Sequence, residues 1–127
     1  MRTETTRAAL RLASAVLCAL LCVATSPQAQ EPERYDPYAA EKNIEVGKFY
    51  LKKKNYDAAI ERFKQAIADR PGYALPHRLL GEAYEKKREY ASAAEQYEKF
   101  LAIVPNSPEA ADVRKRLDSV RKKIPKR

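Results

Sequence analysis

The 127-residue sequence contains no tryptophan, one histidine, three glycines, one methionine and two cysteines. Each scarcity excludes something. A sandwich or barrel built on tight hairpins draws on glycine for its turns, and three glycines do not supply them. The single histidine, His77, has no second imidazole to share a metal site or a proton relay. Threonine is absent after Thr25, and beyond Ser26 the only serines are Ser92, Ser107 and Ser119, none beside a base in sequence. No triad, phosphate-binding loop or glycine-rich turn can be assembled from these parts. The chain is therefore expected to be non-enzymatic, with no catalytic residue, no cofactor and no metal site.

Both cysteines, Cys18 and Cys22, fall in the one long apolar run, residues 12–24, which follows Arg2, Arg7 and Arg11. A basic stretch followed by a short apolar one reads as a secretory leader. As a helix the run would rise only about 20 Å, short of the roughly 30 Å hydrocarbon core of a bilayer. Cleavage is expected between Ala24 and Gln30, with residues 1–29 as leader, residues 30–36 as linker, and the product periplasmic or secreted. Leu17 and Leu21 precede the cysteines where lipoprotein processing wants a small residue, which disfavours a lipid anchor. The processed chain then has no cysteine and must hold itself together by packing. Charge divides the same way. Of the formal +8, the leader carries +2, residues 114–127 carry +7, and residues 31–113 carry −1.

What the sequence has in abundance is Ala, Glu, Lys, Arg and Leu, a helical composition. Residues 40–73 superpose on 74–107 with ten identities, among them Gly47/Gly81, Tyr50/Tyr84, Tyr56/Tyr90, Ala59/Ala93 and Pro71/Pro105. A fixed period of this kind marks a repeat array. Within each unit Tyr56, Ala59, Ile60, Phe63 and Ile67, and 34 residues later Tyr90, Ala93, Ala94, Tyr97 and Leu101, trace one apolar helical face. Pro71 and Pro105 end those helices. Gly47 and Gly81 sit inside helices, where glycine costs about 1 kcal/mol relative to alanine. Their recurrence predicts a close approach by Phe63 and Tyr97 of the partner helices. Asp36-Pro37 predicts the first helix start, and Ser107-Pro108-Glu109 the start of a last helix, residues 108–124, with Ser107 as N-cap. Its stripe of Ala110, Val113, Leu117, Val120 and Ile124 reads as a cap over the last unit, followed by a basic end at residues 125–127.

Asn43, Val46, Gly47, Tyr50, Ala59, Phe63 and Pro71, then His77, Leu80, Gly81, Tyr84, Ala93, Tyr97 and Pro105, follow the spacing W-x2-L-G-x2-Y, A-x3-F, P, with Asn43 and His77 in the tryptophan place. In these residues the chain resembles the tetratricopeptide repeat (TPR) family. The resemblance implies an all-α fold: two TPR helix-turn-helix units over residues 37–107 and a C-terminal capping helix, a short right-handed α-solenoid. Residues 104–111 are also similar to the repeat region of a lipoprotein of outer-membrane β-barrel assembly (BamD-like), although the chain has about half as many repeats.

The resemblance further implies a groove lined by the first helices of the units, holding a peptide or partner protein. The groove residues are expected to be Ile44, Lys48, Leu51, Arg78, Glu82, Asp112 and Arg116. Ile44 and Glu82, and the lack of asparagines, do not fit a clamp for a terminal carboxylate, and the set suggests a mixed-charge or partly apolar peptide. Lys52-Lys53-Lys54 and Lys86-Lys87-Arg88 read as cations placed at helix C-termini. The basic tail offers contact with an anionic membrane surface, and export argues against nucleic acid as partner. Two units and a cap are near the lower limit for an independent array, so self-association or a partner is expected to contribute. The function expected is a non-catalytic adaptor of the bacterial cell envelope, the alternative a membrane-associated protein of outer-membrane assembly held by a retained leader or by its basic C-terminal helix.

Overall fold

In the computed structural model of the protein, residues 35–126 are described; the expected leader, the expected linker up to residue 34 and Arg127 lie outside them. Five helices follow one another: α1 (Pro37–Lys52), α2 (Tyr56–Asp69), α3 (Ala74–Lys86), α4 (Tyr90–Ile103) and α5 (Ala110–Lys123). Asp36 caps α1 through its side chain, which accepts from the Ala39 N–H at 3.0 Å, and Pro37 occupies the first turn. Asn55 caps α2 in the same way, accepting from Ala58. Both short side chains satisfy donors that the first turn of a helix leaves unpaired.

Helix α5 starts later than its sequence signal suggests. The Ser107 carbonyl accepts from the Ala110 N–H at 3.0 Å, a tight turn through Pro108 and Glu109, and the first bond of full helical reach runs from Val113 to Glu109. The Ser107 hydroxyl is buried without a partner, so it does not cap the helix.

Each helix packs on the next, and α1 also touches α3. One apolar cluster joins Ala40 and Ile44 of α1 to Ala59, Ile60, Phe63 and Ala66 of α2 and to Leu79, Leu80 and Ala83 of α3. A second joins Ala93, Ala94, Tyr97 and Phe100 of α4 to Val113, Leu117 and Val120 of α5. The sequence period is carried through to α5: Ala110, Val113 and Leu117 stand 34 residues after Pro76, Leu79 and Ala83, and all six are buried. The chain is all-α, a helical repeat in which α5 takes the place of a further first helix.

Gly47 and Gly81 are where the helices of each unit come closest. A Cβ on Gly47 would lie 2.7 Å from Cδ1 of Phe63 and closer still to its Cε1, and one on Gly81 would meet the same atoms of Tyr97. Both rings are fully buried. The helix-propensity cost of glycine is thus offset by an aromatic ring seated against bare backbone.

Candidate functional site

A groove of about 500 Å³ lies between α1 and α3. Helical spacing brings Lys48, Leu51 and Lys52 of α1 to one wall, and Arg78, Leu79, Glu82 and Lys86 of α3 to the other. Lys54, from the α1–α2 turn, and Tyr56, at the start of α2, also line it. Leu51, Leu79 and Tyr56 supply apolar surface within a rim of cations.

Of the seven residues expected there, four are present: Lys48, Leu51, Arg78 and Glu82. Three are not. Ile44 is only 2% exposed and belongs to the apolar cluster shared with Ile60, Phe63 and Leu79. It occupies the same repeat position as Arg78 and Asp112, but α3 covers α1 at that place and an aliphatic side chain there enters the core. Asp112 and Arg116 sit on α5 and engage each other, Arg116 Nε to Asp112 Oδ2 at 3.0 Å, with Glu85 of α3 at 3.7 Å from the guanidinium. Glu85 in turn accepts from the Tyr97 hydroxyl at 2.9 Å. That cluster ties α5 to α3 and α4. Burial, and then the bond to Glu85, push the Tyr97 hydroxyl well above the ordinary tyrosine pKa.

Sequence spacing also missed members of the site. Lys52, Lys54 and Lys86 read as helix-end cations, yet they line the groove. Lys53 and Lys87 are the C-cap residues of α1 and α3; Lys53 lies over the Phe49 ring at 5.7 Å, and Lys87 bridges Asp57 and Glu89 at 2.6 and 2.7 Å. Hydrogen bonds first to Asp57 and then to Glu89 raise the Lys87 pKa. Lys54 and Arg88 hold the left-handed backbone that closes each first helix, with φ of 60° and 64°. Around them Asn55 N–H reaches Tyr50 O and Glu89 N–H reaches Tyr84 O, the six-to-one bond of a helix stop where glycine is the usual resident.

Residues 47–108 match the family profile of the tetratricopeptide repeat. Over these residues the chain is similar to tetratricopeptide repeats. No curated protein matches it. Tetratricopeptide repeats mediate protein–protein interaction and are typically non-catalytic. Among the described residues no cluster of His, Asp and Glu is arranged to hold a metal ion.

The two departures from the TPR pattern have a structural explanation. In the tryptophan place Asn43 donates to Asp69 at 2.7 Å and accepts from Arg62 at 3.4 Å, while His77 Nδ1 lies 2.9 Å from Gln96 Oε1. Arg62 and Gln96 are themselves 34 residues apart. Each TPR unit replaces an indole wedge by a polar tie at the same place, so His77 is a structural histidine.

Proposed function

We propose that the protein is a non-catalytic adaptor that holds a segment of a partner protein in the groove between α1 and α3. The observation that carries this reading is the groove itself, an apolar floor rimmed by polar side chains on the first helices of two TPR units and large enough for a ligand's side chains. Leader and repeats together support a setting in the bacterial cell envelope. A photo-crosslinking residue placed at Arg78 should capture a partner in cells, and one at Glu61, exposed on the outer face of α2, should not. Equal capture from both positions would remove the groove from the reading. Mass spectrometry of the mature protein tests the setting: an N-terminus between residues 25 and 31 supports soluble export, whereas an intact or acylated one overturns it.

A second reading, membrane association in the manner of an outer-membrane assembly lipoprotein, draws on the cationic segment formed by α5 and the residues after it. Lys115, Lys122 and Lys126 are exposed, and no carboxylate among the described residues pairs with them. No helix of the described residues is long and apolar enough to cross a membrane, and a contact made by these lysines would be electrostatic. Flotation with anionic vesicles that is unchanged when the three lysines become glutamine would exclude it.

A further inference from the structure

Resting on the groove as the partner site, we propose that its occupant is an acidic protein segment with one apolar side chain, recognised by Lys52, Lys86, Arg78 and Lys54. Five cations line the groove against one carboxylate, that of Glu82. Lys48 is engaged by Glu45 at 2.8 Å on its own helix. For Lys52, Lys54, Arg78 and Lys86, no carboxylate among the described residues lies within 4.0 Å. Four cations around one small groove repel each other, and a ligand carrying carboxylates removes that repulsion as it binds.

The chain contains its own control for this argument. The corresponding space between α3 and α5 holds Glu85, Asp112 and Arg116, one repeat after Leu51, Arg78 and Glu82. There the charges meet internally, since Arg116 serves both Asp112 and Glu85. One of two equivalent spaces is self-neutralised and the other is left positive. Lys54 lines the same groove from a left-handed helix stop that Arg88 repeats in the second unit. The apolar requirement follows from Leu51, Leu79 and Tyr56, which face the same space.

The test selects a random 12-residue peptide display library on the purified full-length protein at physiological salt, and measures the enriched sequences as fluorescent peptides. The enriched peptides should be acidic, each with a Leu, Ile, Phe or Tyr. Their affinity should fall about tenfold or more in Lys52→Glu/Lys86→Glu. It should hold in Lys115→Glu/Lys122→Glu, which changes net charge equally on α5. Circular dichroism confirms that each variant folds. Neutral or basic peptides whose binding is lost in Leu51→Ala would overturn the acidic occupant and leave the groove standing. Peptides indifferent to every groove substitution, or no enrichment at all, would overturn both readings. Heparin and anionic vesicles serve as probes without an apolar side chain. If either binds in a Lys52- and Lys86-dependent way while acidic-apolar peptides do not, the site is for polyanions and the proposal fails.

Discussion

At the scale of single residues, small backbone facts carry large consequences. Gly47 and Gly81 would each gain helix propensity as alanine, about 1 kcal/mol. The added Cβ would collide with a ring that is fully buried. Overpacking wins, and Gly47→Ala or Gly81→Ala should lose about 2 kcal/mol net, lowering the thermal midpoint by on the order of 10 °C. A melting curve unchanged from wild type would show that the ring moves aside. The opposite sign is expected at the helix stops. Lys54→Gly and Arg88→Gly relieve a left-handed backbone and should each add roughly 0.5–1 kcal/mol to the urea unfolding free energy. The two then part company in binding: Lys54→Gly removes a groove cation and should weaken acidic peptides, while Arg88→Gly should leave them unaffected.

At the scale of the helix, α5 is fastened through Val113, Leu117 and Val120, and through the chain of contacts from Tyr97 to Glu85 to Arg116. Because the folded state raises the Tyr97 pKa, its contribution to stability is whole below pH about 10 and is lost as pH climbs through and beyond that value. Urea midpoints measured from pH 8 to 11 should fall for the wild type, and Tyr97→Phe should be less stable by about 1 kcal/mol at pH 8 but lose less with rising pH. Parallel curves would remove Tyr97 from the alkaline transition. The helices themselves were legible in the sequence, because apolar spacing, a capping Asp36 and a proline at each unit's end are local signals. The glycine–aromatic contacts were legible too, since they recur at the 34-residue period. The groove was legible only in part. Ile44, Arg78 and Asp112 hold one repeat position yet are buried, half-buried and exposed, according to what covers each helix. Likewise nothing in the spacing of Lys52 and Lys86 distinguishes an unpaired cation from Arg116, whose partners come from α3 and from its own helix. Charge pairing across helices is a tertiary property. Ser107, which carries every local mark of an N-cap, shows the same limit, because the turn through Pro108 and Glu109 takes its hydroxyl out of reach of the helix.

At the scale of the whole molecule, the N-terminal end of the described helical array differs from its middle. The face that α3 lays on the preceding unit uses Pro76, Leu79 and Ala83, and α5 uses Ala110, Val113 and Leu117. On α1 the same positions are Lys42, Glu45 and Phe49, all exposed, with Lys53 over the Phe49 ring. The register of α5 has a further consequence. Since α4 already accepts a first helix, and α5 is one, the seam between them is a point at which the chain can grow without redesign. A second copy of residues 74–107 inserted after Ser107 would meet a compatible surface on both sides. The lengthened protein should fold and melt at a higher temperature than its parent, as nearest-neighbour interfaces add along a repeat array. The added unit would also repeat Arg78, Glu82 and Lys86, so a modular duplication of the fold is at the same time a duplication of one wall of the groove.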